Sequence, residues 1–180
     1  KGDDIDAIKA SPFPGGSGTV EEKLTEAIAT IGENMALRRA ASLSVEKGVV
    51  ASYVHNAVAD GLGKIGILVA LKSGGDTEKL AVLGKQIAMH IAATSPQSIG
   101  LDDLDPEAVE RERAVLSQQA RESGKPEEII GKMVEGRISK FYKEVVLLEQ
   151  TFVVDGENTV KAAIDLVAKE IGSPIEVVGM

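Results

Sequence analysis

Two imidazoles, His55 in "SYVHN" and His90 in "IAMHIAATSP", are the only histidines in the 180 residues, and with nearby carboxylates they are the first candidates for metal chemistry. A metal motif legible in sequence places its ligands at tight spacing on one element, so that they converge without help from the rest of the fold. These two lack that spacing, and metal binding is not expected. His90 lies among apolar helical neighbours and reads as a packed residue; His55, on a strand or its edge, reads as either structural or a contact. The absence of Cys excludes thiolate zinc sites, disulfides and thiol nucleophiles. "SPFPGGSG", Ser11 to Gly18, is glycine-rich but lacks the Gly-Lys-Ser/Thr ending and the strand-to-helix setting of a phosphate loop, so no bound nucleotide or other cofactor is expected. No Ser/His/acid order or clustered carboxylate pair points to a hydrolase. "ERER", Glu110 to Arg113, is an exposed helix face and not a basic patch.

Composition narrows the partners. A net charge of −8 works against nucleic acid, whose binding needs concentrated Lys and Arg to release counterions. Aromatics make up 3% of the chain and Trp is missing, so stacking cannot be the main binding device. With 43% hydrophobic and 27% charged residues the chain has the profile of a globular protein with a real core. No apolar run approaches the roughly 20 residues that cross a bilayer, so no membrane partner is expected. The chain opens on Lys1 and its first recognisable element falls near Val20, which is the expectation for a piece of a longer protein.

The elements that must position any site follow from periodicity and punctuation. Residues 1–18 read as linker or loop, because two Pro and three Gly in "SPFPGGSG" suit neither helix nor central strand. Thr19 is a plausible N-cap for an amphipathic helix with Val20, Leu24, Ala27, Ile28 and Ile31 at helical spacing, ended by Gly32. "VVASYVHNAV" and "IGILVAL" predict a strand pair joined through a polar loop, "ADGLGK", longer than the tightest turns. "TEKLAVLGKQIAMHIAATSP" predicts a helix ending at Pro96. Asp105 and Pro106 open another, Gly124 stops it and Pro126 starts its successor, whose stripe is Ile130, Val134, Ile138, Phe141 and Val145. Two amphipathic helices with so short a turn must run antiparallel and bury their stripes on each other. Gly131 and Gly136 in the second predict a close helix contact. "TFVVDG" predicts a strand, "NTVKAAIDLVAKEIG" a helix and "PIEVVG" a last strand. The fold class is α+β: an antiparallel sheet flanked by helices, with an inserted antiparallel helical hairpin, a coiled coil, at about 106–141.

Three segments in this order, "IGENMALRRAA" at Ile31 to Ala41, "IAMHIAATSP" at Ile87 to Pro96 and "SGKPEEIIGKMVEGRISKF" at Ser123 to Phe141, resemble the core of the elongation factor Ts family. The likeness covers residues 19–180 as that family's dimerisation and core region. It implies a guanine-nucleotide exchange factor that binds elongation factor Tu and promotes GDP release without covalent catalysis. It also implies that the hairpin is a coiled coil and that Ile31, Gly32 and His55 are contacts with the Tu partner. By their own sequence setting, Ile31 would be core and Gly32 a helix stop. The family's Thr-Asp-Phe-Val motif, whose Phe wedges near the Mg²⁺ and phosphate site, does not occur in the 180 residues. Exchange by these residues alone is therefore expected to be slow. The family occurs in bacteria and in bacterially derived organelles, and a bacterial cytoplasm is the expected setting. A self-associating interaction module, a possible homodimer, is the alternative, distinguished by sedimentation with and without Tu. A metal-dependent enzyme ranks last.

Overall fold

A computed structural model describes residues 3–122 and 124–180. Lys1 and Ser123, the latter the start of the expected Ser-Gly-Lys-Pro turn, lie outside the described residues. The chain divides into two compact units, residues 1–42 and 43–180, and each is built by itself.

In the first unit a helix, α1 (Ile5–Lys9), lies inside the stretch expected as linker or loop. The Asp4 carboxylate makes it, accepting from the N–H groups of Asp6 and Ala7 at 3.1 Å each. The Pro-Gly segment that follows is a closed turn, with the Phe13 N–H donating to Gly18 O at 2.9 Å and Pro12 bridging to Thr19. Helix α2 (Val20–Ile31) starts on a full capping box, Thr19 and Glu22 each satisfying the other's backbone N–H. Leu24, Ala27 and Ile28 are half-buried. Residues 33–42 carry no regular secondary structure.

The second unit is built on a three-stranded antiparallel sheet in the order β1 (Gly48–Ala59), β2 (Leu62–Lys72), β3 (Glu176–Gly179). The two long strands are joined by two residues, Asp60 and Gly61, and not by the longer loop their polarity suggests. "LGK" is strand: it is polar because this end of β2 is wet, and it pairs with β1 through Ala57↔Gly63 and Ala59↔Leu62. Helix α3 (Thr77–Thr94), capped by Asp76, lays Leu83, Ile87 and Ile91 on the sheet. Helix α6 (Val160–Ile171) adds Val160 and Ile164, and a 3-10 turn (Leu147–Glu149) adds Leu147. With Val69, Leu71 and Val177 from the strands these form one core.

"TFVVDG", expected as a strand, makes only a single bridge, Thr151 to Thr159, before turning. Asp155 drives the turn, its carboxylate accepting from the N–H groups of Glu157 and Asn158. The turn sends Phe152 into the core, where it is 3% exposed.

Helices α4 (Pro106–Glu122) and α5 (Glu127–Val145) form the expected hairpin with a core of their own: Leu116, Ala120, Ile130, Val134 and Ile138, with Tyr142 packed beside them. Ion pairs Arg113–Glu135 and Arg121–Glu127 fix the antiparallel register. The hairpin is rooted in the second unit by a short ladder: Gln97 N–H donates to Val145 O, Leu147 N–H to Ser98 O and Leu148 N–H to Ile99 O. No helix among the described residues is long and apolar enough to cross a membrane.

Gly131 and Gly136 do not mark a close helix contact, because a Cβ at either would meet nothing within 4 Å. They cost helix propensity without return, and Gly131→Ala and Gly136→Ala should each stabilise the hairpin by about 1 kcal/mol. Slower hydrogen exchange of α5 amides is the readout; unchanged exchange in the double variant would refute it.

Candidate functional site

The sheet gives the second unit a face that begins as core and ends as surface. Paired residues of an antiparallel ladder share a face, so Val49↔Leu71, Ala51↔Val69, Tyr53↔Ile67 and His55↔Ile65 form one continuous stripe. Burial falls along it. Leu71 and Val69 are fully buried, Tyr53 and Ile67 half-buried, and Ile65 is 42% exposed beside an exposed His55. The helices cover the proximal half of the stripe and leave the distal half as an arm. Beyond His55 the backbone kinks at Asn56, with φ of 51°, a conformation that Asn tolerates better than most residues. The tip then presents Val58 at 81% and Leu62 at 62% exposure.

His55 is oriented from below. Tyr53, anchored on the core by its ring, places its hydroxyl 3.0 Å from His55 Nδ1, with the two rings tilted at 5.9 Å between centroids. The tautomer sets the direction of this bond: the hydroxyl donates to a bare Nδ1, or accepts from a protonated one. The result is an oriented, exposed imidazole flanked by Ile65: one polar group at the edge of exposed apolar area, the composition of a protein-binding surface.

Ile31 and Gly32 occupy the C-terminal end of α2 in the first unit. Ile31 is not core, as its sequence setting suggests, but 60% exposed. Gly32 is the helix stop, left-handed at φ 79°, its N–H donating to Ile28 O at 2.8 Å. The structure thus brings Ile31 and Gly32 together and places His55 on the arm of the other unit. Sequence reasoning did not single out the exposed Val58, Leu62 and Ile65: Val58 and Ile65 fell in predicted strands, where apolar letters read as core, and Leu62 in the expected loop.

The other histidine is spoken for. His90 is fully buried; its Nε2 lies 2.8 Å from Gln150 Oε1, and its Nδ1 accepts the Val153 N–H at 3.2 Å. Burial holds its pKa below the usual imidazole value, against a smaller opposing effect of the Gln150 bond. Both ring nitrogens are used, and among the described residues no group of three or more His, Asp or Glu side chains converges as a metal site. A cleft between the 99–103 loop, α6 and β3 is rimmed by Asp102, Asp103, Asp165 and Glu176. Asp103 in it caps the loop's own N–H groups at Ile99 and Gly100, and Asp165 faces Lys161 at 3.5 Å.

Comparison with known proteins agrees with the resemblance read in the sequence. Residues 1–178 match the family model described as Elongation factor TS. The chain is 56% identical over 178 residues to the elongation factor Ts of Rhodospirillum centenum, covering 99% of this chain and 58% of the relative. Identity is 62% over 164 residues to that of Gluconobacter oxydans, covering 91% and 54%, and 56% over 173 residues to that of Bartonella henselae, covering 96% and 56%. The chain spans between 54% and 58% of the length of these curated relatives. With 178 of its 180 residues matched by the family model, the chain belongs to the elongation factor Ts family.

Proposed function

We propose that the chain binds elongation factor Tu and, as part of a guanine-nucleotide exchange factor, favours the nucleotide-free partner, using the uncovered distal face of the β1–β2 arm as one contact and the Ile31–Gly32 corner as another. The observation that carries this reading is the stripe that runs from core to open surface, with His55 held outward by Tyr53, in a chain of this family. The mechanism is linkage. If the chain binds nucleotide-free Tu more tightly than Tu·GDP by some factor, GDP affinity falls by that same factor while the chain is bound. Such a mechanism asks nothing of the chain but differential binding, and it needs no covalent step. The relatives' organisms support a bacterial cytoplasmic setting.

The deciding experiment is a titration of the chain against Tu·GDP and nucleotide-free Tu, beside sedimentation of the chain alone. Tighter binding to the nucleotide-free form supports the proposal; self-association with no heterocomplex supports the homodimer reading instead. Within that titration, His55→Ala and Ile65→Ala should each weaken binding by about 1–2 kcal/mol, five- to thirty-fold. Ile31→Ala, at an exposed position, should leave stability within about 0.5 kcal/mol, so its effect on affinity can be read directly. Unchanged affinity in folded His55 and Ile65 variants would remove the arm from the contact surface.

A further inference from the structure

The chain holds two Asp-Gly pairs, Asp60–Gly61 at the tip of the arm and Asp155–Gly156 in the turn before α6, and the fold treats them oppositely. Asp-Gly is the dipeptide in which a backbone nitrogen most readily reaches the preceding carboxyl, because glycine offers no Cβ to obstruct the approach. Both pairs are solvent-exposed, and both glycines are left-handed, φ 71° at Gly61 and 72° at Gly156. They differ in what holds them. The Asp155 carboxylate accepts three hydrogen bonds, from the N–H groups of Glu157 and Asn158 and from Asn158 Nδ2, at 2.9–3.1 Å. Gly156 N–H, the group that would attack, donates to Phe152 O at 2.8 Å. Among the described residues, the Asp60 carboxylate has neither a hydrogen bond nor an ion pair, and the Gly61 N–H has no acceptor. Nothing stands within 4 Å of where a Gly61 Cβ would be.

We propose that Asp60–Gly61 is a site of spontaneous isoaspartyl formation at the tip of the arm, and that Asp155–Gly156 is protected from the same reaction by its hydrogen bonds. Gly61 N loses its proton and attacks Asp60 Cγ; the Cγ–O bond breaks, one water leaves, and a five-membered succinimide closes. Water then adds back to one of the two imide carbonyls. Attack at Cγ breaks the new bond and restores aspartate. Attack at the main-chain carbonyl breaks the original peptide bond, so that the chain continues through Cβ and Cγ and a free α-carboxylate is left. Atoms balance: one water out and one in, with no oxidant or other reagent. The isoaspartyl product inserts one methylene into the main chain between Ala59 and Leu62, which are paired across the turn. At Asp155 the ring cannot form without breaking the contacts described. The same contacts, the Glu157 N–H foremost and the Asn158 side chain next, hold its carboxyl pKa low and so deplete the protonated acid, the form from which the oxygen can leave as water.

The test is to age the folded chain at neutral pH and physiological temperature, digest it, and quantify isoaspartate at each position by fragmentation mass spectrometry that separates the two isomers. Isoaspartate should accumulate at position 60 about tenfold or more faster than at position 155. In denaturant the two rates should converge, which shows that the fold and not the flanking sequence sets the difference. Asp60→Glu, which would need a larger ring, should abolish the product at that position while leaving position 155 unchanged. Equal rates in the folded chain, a faster rate at 155, or no isoaspartate at 60 would each overturn the proposal.

Discussion

Gly48→Ala should cost the second unit about 3–5 kcal/mol, enough to remove much of the stability of an ordinary domain. Gly48 opens β1 at φ 142°, in the region that residues with a Cβ rarely enter. A Cβ there would overlap the carbonyl oxygen of Leu71 and stand 2.9 Å from its carbonyl carbon and 3.0 Å from Lys72 Cα. Every one of these atoms is backbone, so no side chain can swing aside. Relief requires moving β1 away from β2 at the Gly48↔Lys72 pair, next to Leu71, which is fully buried in the main core. The arm that carries Tyr53 and His55 hangs from this point. Denaturant unfolding of the variant beside the parent measures the loss; a change below about 1 kcal/mol would show that the strand end yields more easily than its backbone contacts imply.

What could be read in the sequence was what local chemistry decides. Asp105, Pro106, Gly124 and Pro126 punctuate the hairpin because capping and φ restriction act within a turn of the chain, and the stripe from Ile130 to Ile138 needs only the helix period to be seen. Thr19 and Gly32 bounded α2 for the same reason. The errors lie where a partner distant in sequence sets the outcome. "LGK" at the start of β2 resembles a loop because its wet end needs no apolar alternation, and only its ladder to β1 makes it strand. "TFVVDG" has β-forming letters, yet Phe152 is drawn into a core assembled from α3, α6 and the sheet.

The candidate surface divides the same way. His55, Ile31 and Gly32 could be named through resemblance, but whether their surroundings are open depends on where the helical layer stops. Ile65 and Val69 lie on one strand and one face, and no pattern in β2 distinguishes the covered residue from the uncovered one. Coverage is a tertiary fact. Ile31, in phase with the apolar stripe of α2, likewise ends exposed, in the last turn of the helix.

His90→Ala should destabilise the second unit by about 2–5 kcal/mol, and the loss should carry a pH signature. The imidazole is fully buried against Phe152, 5.7 Å between ring centroids. Since Nδ1 accepts the Val153 N–H, the proton of the neutral ring must be on Nε2, donated to Gln150 Oε1. Gln150 passes the tie onward, its amide donating to Glu144 O in the last turn of α5 at 2.7 Å, and Thr94 also reaches its oxygen at 3.0 Å. Removing the ring leaves a cavity and an unpaired Val153 N–H at the root of the hairpin. The neutral form is the one the fold requires, so the folded pKa lies below the ordinary value of 6.5, with burial as the cause. Above 6.5 both folded and unfolded chains are neutral at this site and its stabilisation is complete. As pH falls below 6.5 the unfolded chain takes up the proton first, and stability declines by up to about 1.4 kcal/mol per pH unit until the folded value is passed. His90→Gln keeps a polar side chain that can meet Gln150 but cannot titrate, so its stability should be flatter than the parent's between about pH 6.5 and 5, before carboxylate protonation dominates. Identical pH slopes for parent and His90→Gln in that window would mean that His90 does not control the decline.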